Sequence, residues 1–351
     1  MIPASDAPKS ICLIRLSALG DICHALPMVR ALQAAWPETA LTWIIGKKEA
    51  PLVAHLPNIR FIVFDKSANL ASFHQIKKTL AHERFDVLVL AQTSIRANLL
   101  SLAVRAKRRV GFSGAHAPEG HGLFVSESVP LMDQTHQAEA LFAFAPYLLN
   151  APELRLDQID RGLPIPEDAR AFAQTHQPEP KQTVLVSPCS SHSLRNWSAA
   201  CYAEVCDWVI EKGCRPVILI GGPSEKEQAM GQAIMAQMHH QATNLIGQDT
   251  LHQALAMLER AACLISPDSG PAHMADGLGT PVVGLYAATR PQRSGPWASL
   301  GHCVDGFDEA AKRFRGKSGD ALPWATHIEE PGVMDVITPQ AVIEKLTRVL
   351  V

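Results

Sequence analysis

The residues best able to do chemistry lie in three loops of the chain's second half. The first, Ser187-Pro-Cys-Ser-Ser-His192-Ser-Leu-Arg195, puts hydroxyls and a guanidinium directly after an apolar run. A guanidinium can grip two phosphate oxygens at once. The second, Gly221-Gly222-Pro223-Ser224-Glu225, lets a ligand approach the backbone closely and offers a carboxylate that could accept from a ribose. In the third, Asp268-Ser269-Gly270 leads into a helix read as starting at Pro271, with His273 in its first turn. Proline fits that position because its missing N–H costs nothing there. A helix start presents free amides and roughly half a positive charge, which suits phosphate. One such loop is equally well an ordinary crossover with Asp268 as a helix cap. Three loops together favour a nucleotide diphosphate, with Ser187, Ser190, Arg195, Glu225, Asp268, Ser269, Gly270 and His273 as the candidate binding set. Asp21, in the first half, opens a helix after a strand and by itself reads as a cap.

The elements that must position these residues alternate. Around the third loop, Cys263–Ile265 is a strand, Ala272–Leu278 a helix closed by Gly279 at C′, and Val282–Tyr286 a second strand. In the first half Ser10–Leu16 is a strand, followed by a helix from Ile22 that stops before Pro37. Strands are also expected at Thr42–Ile45, Ile59–Phe64 and Asp86–Ala91. The spacing predicts a helix over Asn98–Ala106 with the basic cluster Arg105–Arg109 at its carboxyl end, where cations suit the dipole. It also predicts a short strand to Phe112, a mobile loop Ser113–Gly122 and a helix Gln134–Leu149. Prolines cluster around Asn150–Pro180, then a second βα series begins, and Gly301–Gly332 carries no readable pattern. Two such series imply an α/β fold of two Rossmann-like domains facing each other across a cleft. The expected limits are 1–165, 166–335 and a terminal helix, 336–351, that could reach back toward the first domain.

Bulk properties exclude several classes. The 351 residues suffice for two α/β domains, and 47% hydrophobic with 19% charged residues is ordinary for a globular chain. No apolar run is long enough to span a membrane, and the start lacks a secretion-signal pattern. Eight cysteines without a Cys-x-x-Cys pair read as reduced, buried thiols, and no metal-ligand spacing occurs. The Gly-x-Gly-x-x-Gly signature of dinucleotide enzymes is absent. A net charge of −2 gives no support to nucleic-acid binding. Residues 1–150 nevertheless hold 15 Lys/Arg against 11 Asp/Glu, and the rest 17 against 23. An anionic acceptor or membrane surface would be drawn to the front half.

Arg15-Leu-Ser-Ala-Leu-Gly20-Asp21, paired with Asp268-Ser-Gly-Pro-Ala-His273, resembles the bacterial lipopolysaccharide heptosyltransferases, glycosyltransferase family 9. His136 before a helix and Gly279-Thr-Pro-Val-Val-Gly284-Leu-Tyr extend the likeness over nearly the whole chain. The resemblance implies a GT-B architecture, with an acceptor domain first and an ADP-heptose domain second. It further implies inverting, metal-independent transfer without a cofactor. The acceptor would be an anionic lipid-linked core oligosaccharide at the cytoplasmic face of the inner membrane, which the enzyme contacts peripherally. On the same grounds Asp21 is the general base, Arg195 stands where a lysine commonly meets the diphosphate, and Glu225 matches the ribose-binding acid. Asp268, Ser269, Gly270 and His273 match the phosphate and sugar loop, with serine at 269 in place of a more usual threonine. His24, Arg96, Arg105, Arg108 and Arg109 are acceptor-side candidates, the arginines on charge alone. A carboxyl of ordinary acidity, near pH 3.9, cannot ionise an alcohol in advance, so the proton must move late. Two other readings stay open: another nucleotide sugar in surface-glycan assembly, and a nucleotide-binding protein without turnover.

Overall fold

The computed structural model describes residues 7–68 and 70–350; the reading of the chain's start, and of Val351 in the terminal helix, lies partly outside them. The chain divides into two compact units, Met1–Pro164 and Ile165–Val351.

The first unit contains a six-stranded sheet: β1 (Ser10–Ile14), β2 (Ala40–Gly46), β3 (Ile59–Phe64), β4 (Phe85–Leu90), β5 (Ala106–Phe112) and β6 (Glu127–Val129). Its order is β3-β2-β1-β4-β5-β6, with every pairing parallel. The second unit repeats the plan with β7 (Val184–Val186), β8 (Val217–Leu219), β9 (Thr243–Asn244), β10 (Cys263–Pro267), β11 (Val282–Tyr286) and β12 (Val304–Asp305). Its order is β12-β11-β10-β7-β8-β9. Both sheets are thus doubly wound, and the order reverses between β1 and β4 and between β7 and β10. Loops leaving the carboxyl ends at such a reversal diverge and open a ligand crevice.

Burial explains why these segments are strands. All five residues of β10 and of β11 are buried, as a parallel sheet covered on both faces demands. In the first unit Ile14, Ile44, Leu88 and Leu90 meet helix residues Ala97 and Leu100 in one core. Gly46 lies where the backbone of Leu16 passes; a Cβ there would collide with the Leu16 carbonyl oxygen. The loop after β1 can therefore lie flat against β2.

Four expectations change. The basic cluster is not at a helix end: the helix spans Ile95–Ser101, and residues 106–112 form β5. Parallel pairing with β4, from Phe85↔Ala106 to Val89↔Val110, overrides the helical spacing. The segment 113–124 is not an open loop but two 3-10 turns, with His121 fully buried between Phe112 and Asn98. The helix expected over Gln134–Leu149 is two, Gln137–Phe142 and Phe144–Leu149, with His136 as the cap of the first. The terminal helix, Pro339–Val349, does not stand apart: Val342 and Leu346 are fully buried in the second unit's own core.

Candidate active site

Asp21 sits in the first turn of the helix Leu19–Ala35, which follows β1. Its Oδ2 accepts from the Ala18 amide at 2.9 Å and pairs with the guanidinium of Arg15. Arg15 in turn donates to the carbonyl of Ala91 at 2.6 Å, and the Leu16 amide donates to Gln92 Oε1 at 2.7 Å. The loops after β1 and β4, the two strands at the reversal, are tied together by these bonds. Asp21 is therefore both a cap and a held carboxylate. Among the described residues its Oδ1 makes no hydrogen bond and can face a reactant. His24 lies one turn further on, buried, with its ring 5.9 Å from that of His136. The cap His136 accepts the Ala138 amide on Nδ1 at 3.0 Å.

The structure spreads the other acceptor-side candidates. Arg96 is exposed on the helix that follows β4. Arg108 is level with Val87, and through it with Ile11, three residues short of the carboxyl end of β1. That is on the order of 10 Å of strand away from the Asp21 end. Its guanidinium holds Glu127 with two bonds, at 2.8 and 2.7 Å. Arg109 is spent on the backbone: it donates to Phe124 O, Val104 O and Ser101 O, and to Ser101 Oγ. Arg105 precedes β5 at the same end. Arg108 and Arg109 thus tie β5 to its surroundings, whereas Arg105 makes no ion pair or side-chain hydrogen bond among the described residues. A cavity of 1320 Å³ at that end, lined by Trp36, Asp86, Lys107, Arg108 and Leu149, is likewise remote from Asp21.

In the second unit the carboxyl ends of β7 and β10 bring one set together. Asp268 is its hub. Asp268 Oδ2 accepts from Thr289 Oγ1 at 2.9 Å, from Arg195 Nη1 at 3.3 Å and, more distantly, from Ser294 Oγ at 3.5 Å. Asp268 Oδ1 faces His273 Nε2 at 3.9 Å. Burial pushes this carboxyl upward in pKa, but His273, Arg195 and Thr289 outweigh it and hold Asp268 below its ordinary range. Asp268 thus orients the Arg195 guanidinium and faces the His273 ring instead of meeting an anion itself. Arg195 also donates to Glu329 Oε1 at 2.8 Å, while its Nε is buried without a hydrogen-bond partner. Glu329 is held below the usual carboxylate range chiefly by that bond.

The surrounding loop is stitched by its serines. Ser190 Oγ donates to the Asp268 carbonyl at 2.9 Å, and the Ser187 amide donates to Ile265 O at 3.0 Å. Ser266 Oγ reaches the Ser187 carbonyl at 3.1 Å and shares a bond with Ser269 Oγ at 2.8 Å. Ser269 accordingly does not cap the helix Gly270–Gly277, and Pro271, its second residue, has no N–H. The amides of Gly270 and Ala272 remain as donors at a helix start. Glu225, the first residue of the helix after β8, is exposed. Its neighbour Glu227 does the structural work, accepting from the Gly222 amide at 2.5 Å and from Ser224 Oγ at 3.0 Å. Glu225 itself makes no side-chain hydrogen bond or ion pair among the described residues.

Sequence reasoning missed Thr289, Glu329 and the anchoring role of Arg15. Arg15 stood in the quoted motif only six residues from Asp21 and could have been paired with it. Glu329 lies in the stretch without readable pattern, and no local signal links it to Arg195.

Residues 73–321 match Glycosyltransferase family 9 (heptosyltransferase). The chain belongs to this family. It is 36% identical to the lipopolysaccharide core heptosyltransferase OpsX of Haemophilus influenzae over 98% of each chain. The solved glycosyltransferase family 9 structure from Veillonella parvula superposes with a TM-score of 0.77 at 22% identity, covering 97% of both chains. Escherichia coli heptosyltransferase WaaC, solved with ADP, gives 0.72 at 16% identity, covering 97% of this chain and 99% of that one. The enzyme is a glycosyltransferase of the heptosyltransferase family, and its fold is the α/β GT-B class.

Proposed function

We propose that this enzyme transfers heptose from ADP-heptose to an inner-core sugar of a lipid-linked lipopolysaccharide acceptor, with inversion and without a metal or other cofactor. The full-length likeness to a lipopolysaccharide core heptosyltransferase carries this reading. The ADP bound in a structural relative supports the nucleotide.

In the proposed reaction an acceptor hydroxyl attacks the anomeric carbon. The new C–O bond forms as the bond to the diphosphate breaks, and its electron pair leaves with ADP. Asp21 Oδ1 takes the hydroxyl proton late, when bond formation has made it acidic. Arg15 and the Ala18 amide, both on Oδ2, keep the carboxylate aimed. Arg195 and the amides of Gly270 and Ala272 meet the charge that grows on the diphosphate, in a preorganised arrangement that needs no rearrangement at the moment of transfer. Glu225 is proposed to accept from the ribose. Among the described residues no helix is long and apolar enough to cross a membrane; action at the cytoplasmic face of the inner membrane belongs to the same proposal.

Mass spectrometry of an inner-core acceptor incubated with ADP-heptose should show a gain of one heptose with release of ADP. Preference for a different nucleotide sugar would overturn the donor, and tight ADP binding with no transfer would favour a binding protein.

A further inference from the structure

The first unit carries an apolar ridge that its own fold does not use. On the helix Ile95–Ser101 and its C-cap, Ile95, Leu99 and Leu102 are 59%, 48% and 62% exposed, and Leu123 is 89% exposed. Residues at i, i+4 and i+7 line one side of a helix, opposite Ala97, Asn98, Leu100 and Ser101, which are buried. Leu123 belongs beside that helix. His121 Nδ1 is 2.8 Å from Asn98 Oδ1, and Arg109 bonds both the helix end at Ser101 and the turn at Phe124. Four aliphatic side chains held in water on one firm support are unusual for an unpartnered surface.

Charge decides what covers them. Arg96 and Arg105 flank the ridge, both exposed and neither in an ion pair or side-chain hydrogen bond among the described residues. The nearby acid, Glu119, accepts from the Ile95 amide at 2.7 Å. Residues 1–150 carry a Lys/Arg excess of 15 over 11. Leucines with arginines beside them insert shallowly into a bilayer while the cations stay at the headgroups. Position completes the argument. The helix starts four residues after Ala91, whose carbonyl takes the bond from Arg15, the partner of Asp21.

We propose that this ridge seats the first unit on an anionic lipid bilayer, so that a membrane-held acceptor is presented to the Asp21 end of the sheet. The inference rests on the proposed lipid-linked acceptor for its purpose, not for its binding step. It is tested by co-sedimenting the full-length protein with phosphatidylcholine vesicles, with and without phosphatidylglycerol. The wild type should bind anionic vesicles roughly tenfold or more tightly than neutral ones, and lose that advantage in high salt. The triple variant Leu99→Gln, Leu102→Gln, Leu123→Gln should lose roughly tenfold or more in vesicle affinity and keep its thermal unfolding profile. It should also keep full transfer to a water-soluble acceptor lacking acyl chains, while transfer to a vesicle-embedded acceptor falls. Equal vesicle binding by variant and wild type overturns the proposal. So does a wild-type dimer in sedimentation velocity that the variant abolishes, since a second copy would then own the face. Because vesicle binding is read without any sugar donor, and transfer on the soluble acceptor without any vesicle, failure of one leaves the other standing.

Discussion

The Asp21 site and the Arg195–Asp268 site occupy the same place in two sheets of the same order, yet are built differently. Asp21 is held by residues 15 and 18, with one outside support at Ala91. Arg195 is held by residues 268 and 329, and Asp268 by residues 195, 289 and 294. The first is a local device that leaves one carboxylate oxygen without a hydrogen bond among the described residues, as the proposed base requires. The second is a convergent device in which carboxylates aim a cation. A base needs one atom in the right place; a diphosphate site needs several charges balanced against each other.

If that contrast is right, Asp21→Asn removes chemistry and little else. Transfer should fall by about 10²–10⁴ or more, while the ADP dissociation constant measured by calorimetry stays within about twofold. A matched loss of ADP affinity would blur the two sites into one.

Acid should separate the two units next. His121 of the first unit is pushed down to about 4 by burial, and its Nε2 accepts the Phe112 amide at 3.1 Å. A histidine lowered from about 6.5 leaves the unfolded chain binding more protons between those values. Stability is then fully present above about pH 6.5 and falls as pH drops toward 4, by on the order of 3 kcal/mol. Asp249 of the second unit works oppositely. Burial raises it to about 6, so its cost is relieved as pH drops from 6 toward about 3.9. The protection factor of the Phe112 amide, its exchange rate corrected for the intrinsic rate at each pH, should therefore fall between pH 6.5 and 4; unchanged protection there would remove His121 from the account.

Arg195→Ala should weaken ADP binding by about 1.5–3 kcal/mol, the scale of hydrogen bonds to a charged group, and calorimetry without a loss would refute its phosphate role. Glu329→Gln is the smallest and most discriminating change. The carboxylate shares the Arg195 guanidinium that a diphosphate would use, so its removal should tighten ADP by about 0.5–1 kcal/mol. Weaker ADP binding would instead make Glu329 indispensable for aiming Arg195.

How far the sequence could be read follows the same division. Strands such as β1, β4 and β10 announce themselves, because a sheet covered on both faces requires unbroken apolar runs. So does the helix closed at Gly279, whose φ of +75° suits glycine. The short edge strands β6 and β12 do not, since two or three residues carry no period. Arg105–Arg109 looked like a cationic helix end because spacing is blind to the pairing of β5 with β4 and to Glu127, nineteen residues beyond Arg108. Glu329 was invisible for a related reason: its partner is 134 residues away. Local devices are legible in sequence, and convergent ones become so only once the chain has folded.

The central claim is a single displacement, with one carboxylate taking the proton and one diphosphate leaving. Nuclear magnetic resonance of the purified product tests it most directly, through the anomeric configuration of the newly attached heptose. The account predicts a configuration opposite to that of the donor. Retention would require a second nucleophile on the enzyme and would contradict the role given to Asp21.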